Sequence, residues 1–224
     1  MKKKKIKNPL IRRIPKELIG DWKKYLVVFL FLVLTIGFVS GMYVANESMI
    51  TSANEGVIKY KQEDGHFELK KQADATLLSA IETGEKADFK ATKTTLYENF
   101  FRNEEEDYNN DGKKDGTIRV FAKTKDINLA CMLQGSFPQK ADEIAIDRMY
   151  ADNNDLTVGD TLTVGGKEMH ISGLVALSDY SALFSDPSDM MFDSIKFGVA
   201  IVTEETFDAF GDAHFHASYA WKYD

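Results

Sequence analysis

Residues 25–45, YLVVFLFLVLTIGFVSGMYVA, run for twenty-one positions without a charged side chain. At a rise of about 1.5 Å per residue, a helix of that length measures about 31 Å, against a bilayer hydrocarbon core of about 30 Å. Lipid offers no water to backbone amides, so such a span closes its own hydrogen bonds and must be helical. Gly37, Ser40 and Gly41 give it one face of small residues, where a second helix could approach closely. The rest of the chain falls on one side of this stretch or the other.

The two sides carry opposite charge. Residues 1–24 hold ten Lys or Arg against Glu17 and Asp21, a net of +8. Of the chain's 28 basic and 35 acidic residues, 18 and 33 remain beyond position 24, a net of −15. Basic flanks are retained in the cytoplasm, so the sequence predicts a cytoplasmic N-terminus and an extracytoplasmic segment after about residue 46. Lysines beside an anionic leaflet gain about 1 kcal/mol each, which assigns the KKKK run to the membrane surface and not to nucleic acid. Tyr43 stands where a signal-peptide cleavage site before Asn46 needs a small residue, and the basic region is long, so an uncleaved signal anchor is expected. In residues 10–22, Leu10, Ile11, Ile14, Leu18, Ile19 and Trp22 recur at near-helical spacing between cations, the pattern of a helix lying in the interface.

Four segments are therefore expected: a basic interfacial segment (1–24), a transmembrane helix (25–45), a helical stalk (46–62) and an extracytoplasmic domain (63–224). A domain of that size can build a sufficient core without disulfides, which fits the single Cys131. Within it HFELK reads as a strand and residues 73–83 as a helix burying Leu77, Leu78 and Ile81, stopped by Gly84. Residues 89–101 read as a strand or two, TIRVFAK as another, and NEEEDYNNDGKKDG between them as a polar hairpin tip. Strands follow at 127–133, EIAID, TLTV and KEMHISGLVAL, the last two joined by Gly165 and Gly166, with a short helix over RMYADNN. After a long apolar connection come a strand at 198–203, a helix capped by Thr203 and a final strand at 215–221. Strands and helices interleave without the regular alternation of a doubly wound sheet. The expected fold is α+β, a mixed α/β domain with a small β-rich subdomain at about 127–177.

The stretch 135–175, GSFPQKADEIAIDRMYADNNDLTVGDTLTVGGKEMHISGLV, resembles the extracytoplasmic core domain of FtsX-like/MacB-like ABC transporter permeases. The resemblance is carried by Gly135, Pro138, Glu143, Ile144, Tyr150, Ala151, Leu156, Val158, Gly159, Asp160, Thr161, Leu162, Gly173 and Val175. A basic N-terminus, a first membrane helix and an outer domain directly after it also match that family's layout. The resemblance implies a permease subunit that pairs with a second permease subunit in the membrane and is driven by a separate cytoplasmic ABC ATPase. ATP would then act only through that partner. It implies export or extraction of lipidic or peptide cargo, or regulation of envelope proteins. Members carry at least three further membrane helices after the outer domain and this sequence shows none, so the resemblance implies a fragment or a truncated product. The alternative reading is a free-standing single-pass surface sensor or scaffold.

Two site candidates stand out. In DYNNDGKKD, Asp107, Asn109, Asp111, Gly112 and Asp115 occupy positions 1, 3, 5, 6 and 9 of a calcium-loop pattern, with Ile118 where a bidentate carboxylate belongs. Asp107, Asn109, Asp111 and Asp115 are thus candidate calcium ligands, in competition with a plain Asn/Asp/Gly hairpin tip. Leu183, Phe184, Met190, Met191 and Phe192 make the 180–197 connection an adaptable apolar surface for cargo or a partner, in competition with a loop folded over its own core. His214 and His216 would share a face of a strand, and residues 104–107 read as a solvated run of carboxylates. No hydrolase, zinc-protease, phosphate-loop or dinucleotide motif is present, so neither enzymatic chemistry nor a resident cofactor is expected.

Overall fold

The computed structural model describes residues 13, 16, 19–83, 94–186 and 188–223. They divide into two compact units, Met1–Asn54 and Glu55–Asp224. The interfacial segment falls largely outside the described residues, as do Gly84, the first residues of the 89–101 strand and Pro187.

One helix, α1 (Trp22–Lys59), contains the whole apolar stretch and is long and apolar enough to cross a membrane. Asn46, Glu47 and Ser48 do not interrupt it. None of its residues is buried.

The second unit is the mixed α/β domain. Its strands are β1 (Gly65–Leu69), β2 (Thr94–Glu98), β3 (Phe101–Asp107), β4 (Gly116–Ala122), β5 (Cys131–Gly135), β6 (Glu143–Asp147), β7 (Thr161–Val164), β8 (Lys167–Ala176), β9 (Phe197–Val202) and β10 (Phe215–Tyr223). Its helices are α2 (Ala75–Thr83), α3 (Arg148–Asn153) and α4 (Glu204–Ala209). The pairing β3–β4–β9–β6–β8–β7 returns to β3 and closes a six-strand ring; β4–β9 and β6–β8 are parallel and the rest antiparallel. Closure leaves these strands without free edges. β10 leaves the ring at β3 to carry β1 and β2, and β5 lies along β8. The stretch 127–177 supplies β5 to β8 to this one network.

Period-two patterning fills the ring. Ile118, Val120, Ile144, Ile146, Leu162, Val164 and Ala200 are all fully buried. The β7–β8 hairpin turns on Gly165 and Gly166, at φ +54° and +74°, the left-handed pair that a two-residue turn of this hand requires. Asp147 caps α3, accepting from Met149 N–H at 2.7 Å and Tyr150 N–H at 3.2 Å, and Thr203 caps α4 by accepting from Thr206 N–H at 3.2 Å. The cap at α3 points Tyr150 inward, where its ring lies against Gly198.

Four local expectations change. Asn103 to Asp107 is strand, so the hairpin tip shrinks to the residues after it; Glu104, Glu106 and Asp107 are buried, and the carboxylate run is not solvated except at Glu105. The register Arg102↔Val120, Glu104↔Ile118 and Glu106↔Gly116 turns alternate carboxylates onto the packed face. The strand expected at 127–133 starts only at Cys131, because Asn128 takes φ +48° and breaks the extended run. α2 has no buried residue: Leu77 and Ile81 remain exposed. Within the apolar connection, Leu183 is a core residue and not part of the surface.

Candidate functional site

The outer face of β3 and β4 alternates with the ring interior, so it carries Phe101, Asn103, Arg119 and Phe121. Residues after β8 fold over it, and Arg119 ties them down. Its Nε donates to Asn103 Oδ1 at 2.9 Å, Nη1 to the Tyr180 hydroxyl at 2.9 Å and Nη2 to the Ser185 carbonyl at 2.8 Å. The guanidinium lies 4.2 Å from the Phe101 ring centre, so it is stacked as well as bonded. Burial pushes the Tyr180 phenol up to about 12, although Arg119 opposes it. Leu183 anchors the cover in the core beneath.

Between cover and sheet lies a cavity of about 370 Å³. Phe101, Phe121 and Phe184 supply its apolar lining and Glu68, Asp179 and His216 its polar lining. His216 stacks on Phe101 with ring centres 4.6 Å apart, and its Nδ1 lies 3.2 Å from Glu68 Oε2.

At the root of the cover sits a polar hub built on Asn128. Its Oδ1 accepts from Glu63 N–H at 2.9 Å. Its Nδ2 donates to Glu63 Oε2 at 2.6 Å and to Asp179 Oδ2 at 3.2 Å. Its own N–H donates to the Lys61 carbonyl at 3.1 Å. Three segments meet there: the residues just after α1, the turn before β5, and the first residues of the cover. Burial, reinforced by the Glu63 charge, raises Asp179 to about 7. Asn99 interacts with the same carboxyl and opposes the shift. The hydrogen bond to Glu63 raises His66, against its partial burial. Tyr60 adds a second tie, its hydroxyl donating to Cys131 Sγ at 2.9 Å.

The sequence-derived candidates distribute otherwise. In the 107–115 loop the carboxylates serve the backbone. Asp107 Oδ1 and Oδ2 accept from Asp111 N–H at 3.1 Å and Gly112 N–H at 2.7 Å. Asn109 Oδ1 accepts from Asp111 N–H, and Asp111 Oδ1 from Lys113 N–H, both at 2.9 Å. Asp115 is turned inward, its Oδ2 buried without a partner. Among the described residues no group of three or more His, Cys, Asp or Glu is placed to hold a metal ion. His214 and His216 go to different carboxylates, Glu104 and Glu68. Met190 and Met191 are exposed, at 96% and 83%, while Phe184 and Phe192 meet edge to face with ring centres 5.8 Å apart.

A second buried group lies inside the ring. Glu106 is 1% exposed, and burial raises its carboxyl to about 7, while the neighbouring Tyr150 phenol pulls the other way. Burial and the Glu106 charge push Tyr150 well above the ordinary phenol range. The sequence singles out none of Glu63, Asn128, Asp179 and Arg119, and it reads Glu106 as part of a solvated carboxylate run, which its burial corrects. Only the alternation of β3 and β4 could have flagged Glu106, by placing it opposite Gly116.

No family model matches the sequence, and no curated protein matches it. Among solved structures, the extracellular domain of the noncanonic ABC-type transporter YknZ from Gram-positive bacteria is similar over 71% of this chain and 84% of that one, at 11% identity and a TM-score of 0.38.

Proposed function

We propose that this chain is the first membrane helix and extracytoplasmic domain of an FtsX/MacB-type permease subunit, relaying motion from the membrane to the covered cavity. The permease reading comes from the resemblance of residues 135–175, and the orientation comes from the charge split across the apolar stretch. The observation that carries the relay is the Asn128 hub, whose hydrogen bonds join the residues after α1 to the root of the cavity cover. A displacement of residues 60–63 would act on Asp179 through bonds of 2.6 to 3.2 Å. The cavity and the exposed Met190 and Met191 would receive an amphipathic cargo: rings and thioethers for its apolar part, Glu68 and Asp179 for its polar part. A separate cytoplasmic ATPase and a second permease subunit would be the partners.

The test is purification of the tagged chain from its native membranes, followed by limited proteolysis of residues 177–196 with and without a non-hydrolysable ATP analogue. The expected result is a co-purifying ATPase and a nucleotide-dependent change in cleavage. Recovery of the chain with no ATPase and no nucleotide effect would defeat the relay and favour a single-pass sensor or scaffold.

A further inference from the structure

The Asn128 amide stands between two carboxyl groups. One nitrogen, Nδ2, donates to Glu63 Oε2 at 2.6 Å and to Asp179 Oδ2 at 3.2 Å, so the two acids face each other across a single NH2 group. His66 Nδ1 bonds the other Glu63 oxygen, Oε1. Glu63 and His66 belong to the segment that enters β1, and Asp179 stands at the root of the cavity cover. We propose that this hub is a proton-operated latch, which holds the cover down in acid and frees its root as the surroundings turn alkaline.

The charge count at the hub sets the direction. With a proton on Asp179 and a second on His66, the imidazolium balances the Glu63 charge and the hub is neutral. With both protons gone, two carboxylates share one amide and no cation remains beside them. Asp179 Oδ1 is buried, so water screens this repulsion poorly. Burial and the Glu63 charge raise Asp179 to about 7, and the bond to Glu63 raises His66, so both protons leave on the alkaline side of the ordinary values.

The charged groups of the surrounding segments are committed elsewhere. Arg119 spends its guanidinium on Asn103, Tyr180 and Ser185. Lys61 donates to the Lys125 carbonyl and lies 3.7 Å from Asp126, and Lys222 donates to the Gln62 carbonyl. Glu68 and His216 face the cavity but pair with each other at 3.2 Å, and Asp186 accepts from Ser188 N–H. Asn99, which also interacts with the Asp179 carboxyl, is uncharged. The cover's remaining ties do not follow pH in this range: the Tyr180 phenol, pushed up to about 12, keeps its proton, and Leu183 is held by packing. Release is therefore confined to the root, at residues 177–180.

The latch deepens the relay reading and rests on the same hub, because it sets when residues 60–63 are joined to the cover. The two fail separately: a chain with no ATPase and no nucleotide effect loses the relay and keeps the response to pH.

The test is amide hydrogen exchange of the full chain in detergent at pH 5.5 and pH 8, corrected for its intrinsic dependence on pH. Protection at 177–184 should fall about tenfold or more at pH 8, with β4 and β9 better protected than the cover at both values. Asp179→Asn keeps an acceptor for Asn128 and has no proton to lose, so it should reduce the fall to less than about threefold. His66→Gln, at a half-exposed side chain, removes the positive charge that favours ionised Asp179 and should move the midpoint of the fall to higher pH. That shift reads the latch even if Asp179→Asn misfolds. Equal protection at both pH values, an undiminished fall in Asp179→Asn or an unmoved midpoint in His66→Gln would overturn the latch. Exchange of the cover in step with β4 and β9 would overturn it too, since the opening would then be global unfolding.

Discussion

Asn128 and Glu63 bond each other twice, side chain to main chain at 2.9 Å and side chain to side chain at 2.6 Å. The pair fixes the chain leaving α1 against the turn that precedes β5, and Asp179 is attached to the same amide. Asn128 also needs φ +48°, which asparagine tolerates better than other residues with a Cβ.

Asn128→Ala removes the amide and leaves the left-handed backbone. Each of the three lost hydrogen bonds costs about 1 kcal/mol and the strained φ about 1–2 more, so a loss of about 4–5 kcal/mol in unfolding free energy is expected. Asn128→Gly relieves the strain and should recover part of it. Denaturant unfolding of the two variants checks this; equal losses would remove the backbone part of the argument.

Asp179 gives the protein a pH dependence of predictable sign. Its folded-state pKa is raised to about 7 by burial and by Glu63, so the folded chain holds a proton that the unfolded chain releases. That contribution is complete below the unfolded value near 3.9 and fades as pH rises through about 7. His66, also raised, acts in the same direction at the upper end of the window. Stability should therefore be greater at pH 5.5 than at pH 8, and Asp179→Asn should shrink the difference. An unchanged pH dependence in the variant would show that Asp179 is already ionised in the folded chain at pH 5.5.

The fold was legible wherever local chemistry and pattern agreed. TIRVFAK, EIAID and TLTV alternate cleanly, Gly165 and Gly166 announce their turn, and Thr203 announces a helix. What escaped was decided by tertiary partners. EEED has the composition of a solvated loop, yet the register opposite Gly116 and Ile118 drew Glu104 and Glu106 inward. Asn128 sits in no motif; its role depends on a 65-residue separation from Glu63. Leu183 and Met190 looked alike as apolar loop residues, and only the path of the cover separates one buried at 1% from one exposed at 96%.

Gly198 is required by Tyr150. A Cβ there would stand 2.6 Å from Tyr150 Cγ, inside a ring core with no room to yield. Gly198→Ala should cost about 1–3 kcal/mol through overpacking. Thermal unfolding in detergent measures it. A change below about 0.5 kcal/mol, the range of an uncoupled surface site, would mean that the aromatic ring can move aside.

Leu183 and the Met190–Met191 pair divide the cover into an anchor and a surface. Leu183→Ala removes a core side chain and should cost about 2–5 kcal/mol. Met190→Ser with Met191→Ser exchanges side chains that touch little, so stability should hold within about 0.5 kcal/mol. If the surface receives apolar cargo, the double variant should bind an amphipathic fluorescent probe at least several-fold more weakly than the unsubstituted chain at equal stability. A large stability loss in the double variant would mean that the methionines fold back onto the protein, and unchanged probe binding would move the cargo surface away from residues 190–191.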